Sequence, residues 1–562
     1  MITNEPEIQK TRLPHGGIAQ SPQLPQDIFI AAGVFLIYAF IFGLLRSKDI
    51  FAVDGAFRCL EVYQRSSIFF HDNNHMLYPV NVFAWTRLAG VLGFGARTRE
   101  GFFPLVELMN CLAAAASLTI VFSLTKITLR SVPIAFCVTA GLAFSRAFLL
   151  HATNSAEPMV AVFWSLLAIA FAALAFKTRA GWPIMASGFL FALAMATYRS
   201  TIFLAPAAIV LILESRTPAR TQTFLSRPRL VALGQLAFGG LVGCLCIYGW
   251  VFWRLGIQDP REMLVRFFVQ RDTRVYLGAG IGKLLNLPIG LVRNVFLLQP
   301  HYVGIRNLLV GPRIPTIMFL LLVATVCVLL GVYTVLVIQK WNRLSAVVRT
   351  AFIASGVGFL SSTIPLALWE ANYDKLWLQP LGCLAVLLGI SASVVAATQR
   401  SPFILSKAVP ALLLAGVLSN TLWAVRSHSA QIPDFSETER LSQLVAPRDL
   451  LVGGWDRLTT LYGYGWAETR VFAFPSEAVV DGATSVQRLH EQVIKTHQAG
   501  GKVYFLDLLD MPQGVWDSFL GSRCGVPYSA LDFYRAHASA PLANFQNWTD
   551  APIALRRLDL PE

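Results

Sequence analysis

Apolar positions run along this chain in long unbroken stretches, without the polar interruptions of a soluble fold. Stretches at 28–45, 103–125, 132–150, 159–176, 183–197, 201–213, 230–253, 314–338, 350–368, 376–397 and 403–425 predict about eleven transmembrane helices of about 20 residues each. Leu, Ala, Val and Phe dominate them, so the spans are helices and not barrel strands. Two of these stretches, 183–197 and 201–213, are short and predict a tight hairpin with Tyr198, Arg199 and Ser200 at its tip. Two further segments carry helical spacing broken by polar residues; the first could be a twelfth span, but reading either as a span would turn basic loops outward. Residues 75–93, interrupted by Asn81 and Arg87, predict an amphipathic helix on the membrane surface. Residues 284–299, interrupted by Asn286, Arg293 and Asn294, predict an interfacial or re-entrant helix.

From about residue 430 the rhythm changes. Short apolar runs at 449–454, 470–474 and 502–508 read as buried strands, with a helical pattern over 485–498 between the last two. Strands alternating with a helix predict a small α/β domain built on a parallel sheet. Gly453-Gly454 reads as a turn, not a phosphate-binding loop. Trp455, Tyr462, Tyr464 and Trp466 suit either sugar stacking or a packed core. The expected organisation is a tail at 1–27, a membrane domain at 28–425 with long outer loops at 46–102 and 254–313, and an α/β domain at 426–562.

Composition agrees. Hydrophobic residues make up 55% and charged residues 14% of 562, with a mean hydropathy of +0.56. A soluble protein carries about 25% charged residues, so soluble, disordered and fibrous classes are excluded. The eight cysteines are scattered and suggest no disulfide framework.

Charge supplies the topology. The chain carries a net +14, yet residues 425–562 hold 12 Lys and Arg against 16 Asp and Glu, so the basic excess belongs to the membrane part. Loops 126–131, 177–182, 214–229, 339–349 and 398–407 are rich in Lys and Arg, with Glu214 as their one acid. The positive-inside rule places them and the N-terminus in the cytoplasm. The remaining loops and the α/β domain then face outward. The basic excess reads as topology signalling, not nucleic-acid binding. The opening residues, with Pro14, Pro22 and Pro25, lack a cleavable signal pattern, so the first span is expected to stay in the protein.

Candidate chemistry crowds into the first outer loop: Asp54, Arg58, Glu61, His71, Asp72, His75 and Tyr78. Arg58 follows Asp54 by one helical turn and would share its face. His71 and His75, four apart, could hold a divalent metal on a helix, but Asn73-Asn74 is poor helix material. Hydrogen bonds from His75 and Tyr78 to sugar or phosphate are the stronger reading, and no cofactor is otherwise called for. Elsewhere, Glu157 opens a span, where an acid suits the helix dipole or a substrate. Arg199 at the hairpin tip is costly in lipid unless paired, snorkelling or functional. Lys375 stands beside Asp374 and near Glu370, either of which could pair with it.

The pattern resembles a known family. Asp54 falls shortly after the first span, and His75-x-x-Tyr78-Pro79 leads into an amphipathic helix. The next span opens near Phe103-Pro104. Ser145-Arg146, Asn154-Ser155-Ala156-Glu157-Pro158 and Ala196-Thr197-Tyr198-Arg199 follow in order. This is similar to the GT-C membrane glycosyltransferases, in the branch of protein O-mannosyltransferases and of the aminoarabinose and galacturonic acid transferases of lipid A. The likeness covers residues 28–215; beyond them only the layout agrees. Many members carry two adjacent acids after the first span, whereas Gly55 follows Asp54 here, so a second acid must come from Glu61, Asp72 or Glu157.

The resemblance implies sugar transfer from a polyprenyl-phosphate donor to an extracytoplasmic lipid, glycan or protein acceptor, in a bacterial inner membrane. Asp54 would be the general base. Arg58, Arg199 and Lys375 would meet the lipid phosphate, and Glu61, His71, Asp72, His75, Tyr78 and Glu157 would line the substrate site. The competing readings are a flippase or transporter of a lipid-linked glycan, and a glycan ligase or polymerase.

Overall fold

The computed structural model describes residues 24–46, 59, 62–63, 75–96, 99–215, 226–254, 256–259, 261, 281–296, 313–368, 374–396, 416–422, 425, 434–454, 458–459, 462, 470–546 and 552–560. Asp54, Arg58, Glu61, His71 and Asp72 lie outside the described residues.

The chain is a multi-pass membrane protein of bundled helices with a small C-terminal sheet. Among the described residues, seven helices are long and apolar enough to cross a membrane. They fall within α1 (Leu24–Leu44), α3 (Arg99–Leu129), α6 (Pro158–Thr178), α9 (Arg227–Arg254), α11 (Arg313–Gln339), α12 (Ala346–Leu368) and α13 (Asp374–Ala396). The stretch expected as one span at 132–150 is instead two helices, α4 (Val132–Ala143) and α5 (Arg146–Ala152), bent by 73° at their junction. Ser145, with extended backbone, makes the break and donates its hydroxyl to the Leu142 carbonyl.

The hairpin at 183–213 is looser than its sequence suggests. Helix α7 (Trp182–Thr197) is joined through a 3-10 turn, Arg199–Leu204, to α8 (Ala205–Ser215). The two non-spanning segments do form helices, α2 (Leu77–Val91) and α10 (Ile281–Val295). Helix α2 buries Tyr78, Pro79, Val82 and Ala89 and leaves Leu88 and Val91 exposed, the division its mixed spacing calls for.

Local chemistry sets the helix ends. Pro133 and the Ser131 hydroxyl, which accepts the Ile134 N–H at 3.4 Å, start α4. Arg130 and Arg179, with φ of 54° and 56°, follow the ends of α3 and α6 in the left-handed region. Their positive charge suits the carbonyl end of a helix.

Apolar attraction between helices is weak in lipid, so close backbone packing has to hold them together. Helices α7 and α9 meet through glycine. A Cβ on Gly188 would run into the Leu236 carbonyl oxygen, and one on Gly239 into that of Met185. The main core lies deeper, where Tyr38, Phe42, Phe122, Phe148 and Trp377 pack from α1, α3, α5 and α13.

The C-terminal sheet has five strands in the order β2-β1-β3-β5-β4. Strands β1 (Leu450–Gly453), β2 (Arg470–Ala473) and β3 (Val503–Leu506) are parallel, as their apolar runs suggest. Helix α16 (Thr484–Gln498), which follows α14 (Asp434–Leu444) and α15 (Phe474–Asp481), buries Leu489 and Val493 with them. Strands β4 (Ala543–Gln546) and β5 (Pro552–Arg557) add an antiparallel edge that the sequence pattern does not announce. Tyr462 belongs to the packed core, its hydroxyl bonded to the Val445 carbonyl.

Gly188→Ala is expected to cost about 1–3 kcal/mol by overpacking, read as a lower thermal transition of the detergent-extracted protein. Gly249→Ala, on α9 with nothing within 4 Å of the added carbon, should leave the transition unchanged or raise it.

Candidate functional site

Three of the residues singled out from sequence converge. Glu157 ends the irregular segment before α6, and its side chain is fully buried. Its Oε1 accepts a hydrogen bond from Lys375 Nζ at 2.8 Å and lies 3.8 Å from His75 Nε2. The Lys375 side chain is 7% exposed. Lys375 thus reaches an acid 218 positions away rather than the adjacent Asp374; Glu370 lies outside the described residues.

The segment carrying Glu157 is stitched down atom by atom. The Asn154 side-chain oxygen accepts the Ala156 N–H at 2.9 Å, a local turn suited to Asn. The Asn110 carboxamide donates to the carbonyls of Asn154 and Ala156, each at 2.7 Å. The Tyr78 hydroxyl donates to the Ser155 carbonyl at 2.6 Å. These groups are buried, and buried polar groups without partners are expensive, so the segment has little freedom to rearrange.

Tyr78 therefore supports the site from behind. Burial, reinforced by Cys59 and Glu157 nearby, pushes its hydroxyl well above the ordinary tyrosine value. It remains a donor at every physiological pH.

His75 is held at both ring nitrogens and on one face. Its Nδ1 lies 3.3 Å from the Thr197 carbonyl, an acceptor only, so Nδ1 carries the proton in that bond and Nε2 faces Glu157. The ring stacks on Tyr198 at 5.2 Å between centroids. Arg199 follows directly as the first residue of the 3-10 turn, half-buried and within electrostatic reach of Tyr248 on α9. The hairpin tip thus touches the same cluster as the start of α2.

A second polar group sits beside the first. Asp374, the first residue of α13, lies 3.4 Å from His151 Nε2 and 4.0 Å from Arg146 Nη2. Arg146 Nη1 also reaches Asn294 on α10 at 3.4 Å. In the sequence Arg146 figures only in the Ser145-Arg146 step of the family resemblance, and His151 not at all. The available signal was two basic side chains five apart in an apolar run, which the 73° bend turns inward.

Among the described residues no group of three or more His, Cys, Asp or Glu could hold a metal ion. His71 and Asp72, the partners considered for His75, lie outside them.

No protein-family model and no curated relative matches the sequence. The fold, however, is shared. It is a GT-C-like fold, as the sequence resemblance implies. ArnT from Cupriavidus metallidurans bound to undecaprenyl phosphate matches with a TM-score of 0.51 at 13% identity, over 96% of this chain and 100% of that one. The archaeal oligosaccharyltransferase AglB from Archaeoglobus fulgidus, in complex with an inhibitory peptide and a dolichol-phosphate, gives a TM-score of 0.48 at 13% identity, over 93% and 74%.

Lys375→Met is expected to cost about 3–5 kcal/mol, because it strips Glu157 of a buried counter-charge. The double variant Lys375→Met/Glu157→Gln should recover most of that loss, since both charges are then gone. Thermal transitions of the four proteins in the cycle check this.

Proposed function

We propose that this chain is a membrane glycosyltransferase that moves a sugar from a polyprenyl-phosphate donor to an acceptor on the outer side of a bacterial inner membrane. The observation that carries the reading is the buried His75–Glu157–Lys375 cluster, beside Arg199, in a fold shared with a transferase bound to undecaprenyl phosphate. A donor of this kind keeps its tail in lipid and presents a charged head at the interface. Charged side chains in membrane proteins are costly and tend to mark such sites.

In this reading about eleven helices span the membrane, the N-terminus is cytoplasmic, and the sheet of residues 450–557 lies outside. The acceptor hydroxyl attacks the anomeric carbon, and Asp54 in the first outer loop takes its proton. The bond from that carbon to the phosphate oxygen breaks, and the lipid phosphate leaves with the electron pair. Lys375 and Arg199, with Arg58, offset the charge that grows on it. Glu157 holds the Lys375 ammonium at a fixed place by the 2.8 Å bond. His75, Glu61, His71 and Asp72 complete the polar lining, and Tyr78 holds the backbone beneath it.

The test uses the full chain in lipid nanodiscs. Undecaprenyl phosphate should bind the wild-type protein, and Arg199→Ala or Lys375→Met should weaken that binding by about tenfold or more, in line with lost charge-assisted contacts. With a panel of sugar-charged undecaprenyl phosphates, Asp54→Asn should retain binding but slow transfer about 10²–10⁴-fold, the usual contribution of a general base. Undiminished transfer by Asp54→Asn removes Asp54 as the base. A wild-type protein that binds no polyprenyl phosphate removes the whole reading.

A further inference from the structure

Two ion pairs cross between the same two pieces of chain. Segment 146–157 offers a cation at Arg146, an imidazole at His151 and an anion at Glu157. The start of α13 offers the reverse order, an anion at Asp374 and then a cation at Lys375. Adjacent residues on a helix point in divergent directions. The structure uses this divergence: Asp374 turns toward Arg146 and His151, and Lys375 turns toward Glu157.

The Asp374 carboxylate does a second job. Its Oδ1 accepts the backbone N–H of Lys375 at 2.8 Å, which ties the first turn of α13 to the same atom that faces His151. The Arg146 side chain opposite is itself fixed. Arg146 reaches the Asn294 side chain, which in turn donates to the Gly290 carbonyl at 2.8 Å. Asn420, from the helical segment 416–422, donates to the carbonyls of Phe144 at 2.5 Å and Val295 at 2.8 Å, clamping the α4–α5 junction to the end of α10. Arg146 and His151 are 5% and 2% exposed. Replacing buried charges by apolar residues is often neutral or stabilising. Stability alone therefore gives no reason to bury a second charged group one residue from the first.

We infer that Arg146, His151 and Asp374 form a positioning clamp for Lys375. By occupying the Asp374 carboxylate, the Arg146 guanidinium and the His151 ring keep this adjacent anion from drawing the Lys375 ammonium away from Glu157. The inference rests on the reading of Lys375 and Glu157 as part of the donor site, but its geometry can be tested without turnover.

The experiment is brief acetylation of the full chain in lipid nanodiscs, with modification resolved residue by residue by mass spectrometry. Lys126, paired with Asp27 through its 2.6 Å bond, reports general loosening. In the wild type Lys375 should resist acetylation. In Arg146→Met, which frees the Asp374 carboxylate to compete, its modification should rise about tenfold or more while Lys126 changes less than about twofold, as expected of a local opening; in Asp374→Asn, which removes the competing anion itself, Lys375 should stay protected. Arg146→Lys, which keeps the cation, should preserve most of the protection. Undecaprenyl phosphate affinity should fall in Arg146→Met and hold in Arg146→Lys and Asp374→Asn. Continued protection of Lys375 in Arg146→Met, or its release in Asp374→Asn, overturns the clamp. So does a parallel rise at Lys126, which would make the effect a loss of fold. If the wild type fails the lipid-phosphate binding assay while Lys375 is still released in Arg146→Met, the donor reading falls and the clamp stands.

Discussion

The Glu157 carboxylate and the Lys375 ammonium meet at 2.8 Å in a place that almost no solvent reaches. Two charges so buried must repay a desolvation cost of several kcal/mol each, and they can do so only if the geometry is held tightly. The architecture around them meets that condition. Tyr78 and Asn110 pin the backbone before Glu157, and Asp374 pins the first turn of α13. His75 closes the third side from the start of α2. The pair thus draws α2, α6, α13 and the α7 hairpin tip to one locus.

Packing elsewhere serves the same end by different means. In a medium that gives apolar surfaces no reason to associate, helices need either backbone proximity or polar links. Helices α7 and α9 use the first, through Gly188 and Gly239. The α4–α5 bend uses the second: Asn420 and Asn294 hold carbonyls and a guanidinium that would otherwise be stranded in an apolar setting. Irregular backbone at membrane depth is tolerated only where protein satisfies it. The break at Ser145 meets that condition and makes Arg146 and His151 available to the cluster.

Charge is therefore used twice in this chain, and in opposite ways. Lys and Arg in the loops that join the spans count through their excess, which is what the positive-inside rule reads. Arg146, Lys375 and Glu157 act through individual contacts and are useless without them. Composition alone does not separate the two uses, since a basic residue counts the same in either.

Hydrophobic run length determined the membrane class, the positions of most spanning helices and the existence of α2 and α10, because burial of about 20 apolar residues in lipid is a local property of sequence. The parallel strands β1, β2 and β3 were legible for a similar reason, as short apolar runs bounded by turns. Glu157, Lys375, His75 and Arg199 stood out because ionisable groups at the ends of apolar runs are expensive. Their partnerships did not. The pairing of Lys375 with Glu157 rather than Asp374, the retreat of Tyr78 behind the site, and the entry of Arg146 and His151 through a 73° bend all depend on contacts between residues distant in sequence. The antiparallel edge of β4 and β5 belongs with them, since its strands acquire their identity only from the neighbour they pair with. Periodicity encodes which face of an element is apolar, but a salt bridge is specified by where two elements end in space, and only the folded chain sets that.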